Sequence, residues 1–365
     1  MRIAFVHFPG RIARLDAARA GGAPSEFLFG AVELERRGHE TFHYEVDPAR
    51  LVSRIATLID RGAGLGHLPP HLSGAVLAGT RALLPQLRVA DVVVATTTGT
   101  SVSLAVWHRM GLLRRPLVGI VAGLVNHEWR PIRRWTTTLL LLRQESVLYG
   151  EGELPELLDR APRLAGRMHV DCFGVDAAFW TPADVERAEE VVAIGNDGHR
   201  DWTTLLAAAP HIPARIRVLT RHPRPESLPP NVSWDDADWR RQVLSDHEVR
   251  ELYRRAAVVV VPVRDVPQPS GQSVTLQAMA CGRPVVLSRT RGLWKPETLH
   301  DGKDVIFVPP GEPTALANAV RGLLADPERA AGIGAAARRN VEAGATVEDF
   351  ASRLERVCRI AISRT

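Results

Sequence analysis

A backbone pocket for an anion is written between Pro262 and Leu287. The chain there reads Pro-Val-Arg-Asp-Val-Pro-Gln-Pro-Ser-Gly-Gln-Ser-Val-Thr-Leu-Gln-Ala-Met-Ala-Cys-Gly-Arg-Pro-Val-Val-Leu. This pattern predicts a buried strand, a polar turn, a helix, and a Gly and Pro stop leading into a second buried strand. At the turn, Ser270, Gly271, Gln272 and Ser273 place free N–H groups at the helix N-terminus, where the macrodipole favours an anion such as phosphate. Gly271 allows close backbone approach, and the hydroxyls of Ser270 and Ser273 can donate to phosphate oxygens. An ordinary capped helix satisfies the same pattern.

Other polar residues stand at predicted strand ends. Arg200 follows the strand ending at Ile194-Gly195, and Arg221 follows the strand 216–219. His127 lies beyond the strand ending near Val121, at the carboxyl edge where ligands enter parallel sheets. The turn Thr96-Thr97-Thr98-Gly99-Thr100-Ser101 either contacts the hydroxyls of a ligand or caps the next helix. His67 and His71 have a metal-pair spacing, but Pro69 and Pro70 between them forbid the helix that would aim both at one ion, so no metal is expected. Gly62-Ala63-Gly64-Leu65-Gly66 lacks the spacing of a dinucleotide loop.

The elements that carry these residues come in two series of alternating strands and helices, the sign of parallel sheets. The first series predicts a strand over 3–8, a helix over 25–37, a strand over 41–46, a loop over 62–74, and a strand over 91–95. A helix over 101–110, a strand over 116–121, a helix over 135–143 and a strand over 146–149 complete it. The pattern breaks at 173–182, which marks a linker. The second series predicts strands over 191–195, 216–219, 258–261, 285–288 and 305–308, and helices over 246–255 and 273–281. A last helix is expected over 347–362.

At 365 residues the chain exceeds the size of one core and calls for two domains. It is 45% hydrophobic and 24% charged, with a formal net charge of +5, an ordinary globular composition. That charge fits anionic partners, although no basic run with interleaved aromatics argues for nucleic acid. Cys172, Cys281 and Cys358 lack metal or disulfide spacing. No apolar run is long enough for a membrane span and the chain enters its first strand directly, so a cytoplasmic protein is expected. The basic, aromatic stretch 129–135 fits either an interfacial anchor or a core helix, and a weak membrane-surface contact stays open.

The 262–287 segment resembles the donor-binding signature of the retaining GT-B glycosyltransferases of family 4 (group 1). Gln277-Ala278-Met279-Ala280-Cys281-Gly282-Arg283-Pro284-Val285-Val286 is similar to its second half. Val308-Pro309-Pro310-Gly311-Glu312-Pro313 is similar to a later family stretch, and Gly21-Gly22, Gly174-Val175-Asp176 and Leu252-Tyr253-Arg254 stand where the family has similar residues. Both glutamates of the family's Glu-x7-Glu motif are replaced, by Pro269 and Gln277. Sugar hydroxyls are then left to Gln272, Ser273 or Asp265.

The resemblance implies an α/β GT-B fold: two Rossmann-like, doubly wound domains facing a central cleft. An acceptor domain would span 1–175, with the helix 347–363 packing back on it, and a nucleotide-sugar domain 183–346. Gly22, Asn196, Arg200, Arg221, Ser270–Ser273 and Gln277 would bind donor, Arg200 clamping its diphosphate with Asn196 in the place of a family arginine, and His127 would contact the donor sugar. The implied activity is that of a retaining, metal-independent hexosyltransferase. It would move a sugar from a nucleotide-diphosphate sugar, a substrate rather than a cofactor, to the hydroxyl of a glycan, natural product or lipid-linked sugar. The lost carboxylates also admit a noncatalytic nucleotide-sugar binder, and a GT-B epimerase is a third reading.

Overall fold

The computed structural model describes residues 1–47, 54–185, 188–237 and 244–365. The chain forms two compact units, one of Met1–Ala20, Ser25–Cys172 and Glu348–Thr365, the other of Gly21–Pro24 and Phe173–Val347. Each holds a six-stranded, wholly parallel sheet.

In the first unit the strands are β1 (Arg2–His7), β2 (Glu40–Glu45), β3 (Val92–Ala95), β4 (Leu117–Val121), β5 (Glu145–Leu148) and β6 (Met168–Val170), in the order β2-β1-β3-β4-β5-β6. β3, β4 and β5 are buried along their whole length, as strands covered on both faces must be. One face packs on the helix Ala31–Arg36 and the last helix Val347–Ser363, whose Phe350, Ala351, Leu354 and Cys358 join Ile3 and Phe5 in the core. Helices Gly74–Leu83, Thr98–Arg109 and Pro131–Leu141 cover the other.

The expected helix over 25–37 is broken. A 3₁₀ turn, Ser25–Leu28, is separated from Ala31–Arg36 by Phe29 and Gly30, both in the left-handed region at φ 57° and 76°. Gly30 is required there because a Cβ would lie 3.0 Å from Ala351 Cβ of the last helix. The expected loop over 62–74 is shorter than read. Gly62 and Gly64 end the helix Arg54–Gly64 and Gly74 starts the next one, so only 65–73 is loop. A Cβ on Gly74 would strike the Ala56 backbone at 2.3 Å, which explains a glycine inside helical structure.

The second sheet, β7 (Glu190–Ile194), β8 (Arg215–Leu219), β9 (Val232–Asp235), β10 (Val258–Val261), β11 (Val285–Ser288) and β12 (Ile306–Val308), runs β12-β11-β10-β7-β8-β9. This strand order is the 3-2-1-4-5-6 of dinucleotide-binding folds, and its direction reverses between β7 and β10, the crevice where ligands bind. The edge strands β6 and β9 were not foreseen; each is short and only partly buried. All three cysteines are buried and free of disulfide.

Helix Gln272–Ala280 leads from β10 to β11 and stops at Gly282, whose carbonyl is crossed by the helix Pro327–Glu342 at Gly334. A Cβ there would sit 2.2 Å from Gly282 O. Gly332, in the same helix, is exposed with nothing within 4 Å. Gly332→Ala is therefore expected to stabilise the protein by up to about 1 kcal/mol through helix propensity. Gly334→Ala should instead cost roughly 2 kcal/mol or more by forcing the helices apart, despite the same gain. Thermal unfolding of the two variants beside the parent checks the opposite signs.

Candidate donor site at the switch point of the second sheet

Two loops meet where the second sheet reverses, 195–201 after β7 and 262–271 after β10. Their backbones are laced together: Val263 bridges Arg200, Arg264 N donates to His199 O at 2.9 Å, and Asp201 N donates to Pro262 O at 3.0 Å. Between them lies the Arg200 guanidinium, only 3% exposed. Two glycines make room for it. A Cβ on Gly195 would fall 1.9 Å from Arg200 Nε, and one on Gly271 2.9 Å from Nη1. Gly271 also holds φ 76° and heads the helix Gln272–Ala280, whose N-terminus no side chain caps.

Arg200 Nε is 2.8 Å from Asp197 Oδ2, and Asp197 Oδ1 accepts the Ser270 hydroxyl and the His199 amide at 3.1 Å. Burial works to raise the Asp197 carboxyl, but the Arg200 charge and these donors hold it below its ordinary value. Burial likewise lowers Arg200, with Asp197 opposing, and a guanidinium stays protonated at neutral pH. Arg200 Nη1 has no partner. A buried cation with a free donor thus lies against the positive end of a helix, an arrangement suited to an anion.

The structure brings Asn196, Arg200, Ser270, Gly271, Gln272 and Ser273 to this one place. The Asn196 amide is spent on backbone, accepting from Arg221 N at 2.7 Å and donating to Ala237 O at 2.9 Å. Arg221 itself is exposed. Gln272 is buried, Ser273 half-buried, and Asp265 is paired with Arg291 at 3.0 Å. Gln277 lies farther along the helix, 5% exposed, its Oε1 3.5 Å from the Tyr253 hydroxyl. Exposed Gly22 has its carbonyl 3.0 Å from His247 Nε2. Asp197 was missed in the sequence because its partner Ser270 is remote along the chain; also unmarked were His199 and His222, whose Nε2 atoms meet Gln268 Oε1 and Asp197 O at 3.2 and 3.0 Å.

His127 belongs to the first unit, exposed on the loop after β4 and edge-to-face with His71, the ring centroids 5.1 Å apart. Burial, His71 and Arg133 all lower it, so it is neutral at pH 7. The Thr96–Ser101 turn caps its helix: Thr97 and Thr100 form a reciprocal capping box, and Thr98 Oγ1 bonds the Ala122 backbone. Beneath the His127 loop is an acid that sequence reasoning passed over. Glu153, 1% exposed, accepts Gly123 N at 2.8 Å, and burial raises its pKa to about 7 although the amides of 123–125 oppose it.

Because the folded pKa of Glu153 exceeds the ordinary 4.5, the native state binds the extra proton, and this group removes stability as pH rises from about 4.5 to about 7. Glu153→Gln keeps an oxygen for the Gly123 amide and abolishes the titration. Melting temperatures at pH 5 and pH 8 should differ less unfavourably in this variant than in the parent, with the gain concentrated at pH 8.

Residues 189–326 match the family model described as glycosyl transferases group 1. A relative, the alpha-maltose-1-phosphate synthase of Mycolicibacterium smegmatis, is 27% identical, with 76% of this chain and 82% of that protein covered. Among solved structures, the sucrose-phosphate synthase of Thermosynechococcus elongatus superposes with a TM-score of 0.71 at 16% identity over 100% of both chains. Anabaena Alr3699/HepE in complex with UDP-glucose gives 0.68 at 16% identity over 98% of each. These likenesses agree with the two parallel sheets of a two-domain GT-B fold, and the match to the group 1 glycosyl transferase model falls within its second unit.

Proposed function

We propose that the chain is a glycosyltransferase that takes a nucleotide-diphosphate sugar at the carboxyl ends of β7 and β10 and passes the sugar to an acceptor hydroxyl with retained anomeric configuration. The observation that carries this reading is the buried Arg200, with Nη1 unpartnered, against the uncapped helix N-terminus at Gly271. A diphosphate offers acceptor oxygens to that free Nη1 and negative charge to the positive helix terminus. The UDP-glucose complex of the HepE neighbour is of that ligand class, and the group 1 match covers both loops.

In the proposed reaction the acceptor oxygen bonds to the anomeric carbon on the face from which the phosphate leaves. The departing phosphate oxygen takes the acceptor proton. Arg200 and the amides at the start of the helix meet the leaving-group charge in place of a metal ion. Neutral His127, carried by the first unit, is proposed to hydrogen-bond the donor sugar, and that unit to receive the acceptor.

The replacement of both family glutamates, by Pro269 and Gln277, favours a second reading, a protein that binds the nucleotide sugar without transferring it. Both readings require nucleotide binding, and consumption of donor in the presence of acceptor separates them.

Thermal unfolding with UDP, GDP, ADP and dTDP checks the shared step. At about 100 times the dissociation constant one of them should add about 2.7 kcal/mol of stability. Arg200→Lys, which keeps a charge beside Asp197 but loses the planar donors, and Gln277→Ala should each weaken that nucleotide about tenfold. A folded protein that none of the four shifts would sink the donor-site reading.

A further inference from the structure

We infer that a cavity at the amino edge of the first sheet binds a neutral sugar, a mono- or oligosaccharide, independently of the donor-site reading. The cavity, of about 300 Å³, opens where β4 and β5 begin and just before β6, among the last turns of the helices Thr98–Arg109, Pro131–Leu141 and Val347–Ser363. His127 and the capped turn at Thr97 lie at the opposite, carboxyl edge of the same sheet.

Its lining holds polar groups that the protein leaves unpaired. Gln144 is 1% exposed and its amide is committed at one end only: Nε2 donates to Ser101 Oγ at 2.7 Å and Ser146 Oγ at 3.0 Å, while Oε1 has no partner. Turning the amide over exchanges its ends and leaves a donor unpaired instead. His108 Nδ1 has no partner either. Burial and the Arg143 charge lower the His108 pKa, against the Arg143 carbonyl, so the imidazole is neutral at pH 7. With its proton on the nitrogen that meets that carbonyl, Nδ1 is a bare acceptor. The Arg143 guanidinium is exposed and makes no hydrogen bond or ion pair among the described residues.

Two more guanidinium groups are fixed beside these. Glu145, 1% exposed, accepts from Arg167, from Arg364 at 2.9 Å and from His169 at 2.8 Å. Arg167 and Arg364 make their bonds through Nη1 alone, Arg364 also to Gly166 O at 2.7 Å, and each keeps further N–H groups. Charge argues against an ionic occupant. Arg143, Arg167 and Arg364 are set against Glu145 and three helix carbonyl ends, each worth about half a negative charge. The two sides come within about one charge of cancelling, whether or not a terminal carboxylate at Thr365 is counted. A bare phosphate would leave the Gln144 and His108 acceptors unpaired, and an ammonium group would leave the guanidinium donors unpaired. Hydroxyl groups donate and accept at once, so a sugar meets both sets, and Pro116 and Leu142 offer carbon surface to its C–H groups.

The test is a ligand-observed NMR titration of the full chain with glucose, maltose and inorganic phosphate, at about 0.1 M and about 0.5 M salt. Glucose or maltose should bind, with a dissociation constant that changes less than about twofold between the two salts, because no net charge is paired. Arg143→Ala and Gln144→Leu should each weaken that sugar at least about fivefold. Arg143 is exposed and unpaired, so Arg143→Ala should melt within about 2 °C of the parent, and it decides alone should Gln144→Leu not fold. Absence of binding by both sugars, or undiminished binding in either folded variant, overturns the inference. So does phosphate that binds more tightly than the sugars and is lost in Arg143→Ala, which would give the cavity to an anion.

Discussion

The buried Arg200 to Asp197 pair constrains the whole carboxyl end of the second sheet. A guanidinium can be held away from water only where its charge is matched, and removing one partner of such a pair costs several kcal/mol because the other is stranded. Asp197 supplies the match across 2.8 Å, and Ser270 ties Asp197 to the loop that leads into the helix Gln272–Ala280. The loops after β7 and β10 are thereby one object. Their glycines are obligatory: any side chain at Gly195 would occupy the guanidinium, and at Gly271 would meet both Arg200 and Val261.

The neighbouring strands hold this object in place. Thr220 Oγ1 donates to Gly195 O at 2.6 Å, and the Asn196 amide joins Arg221 to Ala237. The loops following β7, β8 and β9 thus share their hydrogen bonds, so the peptide groups at 195–197 are fixed before any ligand arrives. Asn196 has both ends of its amide committed to this bracing of the backbone.

Local patterns were legible where local forces decide. Val258–Val261 and Asp246–Arg255 fall on their predicted bounds, the strand because four valines in a row suit a strand covered on both faces, the helix because its capping box of Ser245 and Glu248 starts it sharply. Where a remote segment decides, reading failed. Nothing near Gly30 announces that the last helix crosses it at Ala351, nor near Gly74 that Ala56 touches its backbone. The site divides in the same way. The turn 270–273 carries its own signal, a glycine and hydroxyls before a helix, and the roles of Arg200 and Gln277 came from family resemblance. Asp197 and Glu153 are single acids in loops, and what gives them meaning, burial against Arg200 or against the 123–125 amides, exists only in the folded chain.

The glutamine at 277 takes on a physical sense in this setting. Gln277 is buried, with the Tyr253 hydroxyl near its Oε1, and an ionised carboxylate at that depth would need a compensating donor or cation. A neutral amide needs less, and it still offers a donor and an acceptor. Arg200, the cation best placed in this region, is already engaged by Asp197. Further carboxylates at 269 and 277 would add negative charge around a site whose remaining positive potential comes from one half-neutralised guanidinium and one helix terminus. On the proposed donor-site reading, the absence of acids at those two positions leaves the free Arg200 Nη1 and the positive helix terminus at Gly271 to a diphosphate.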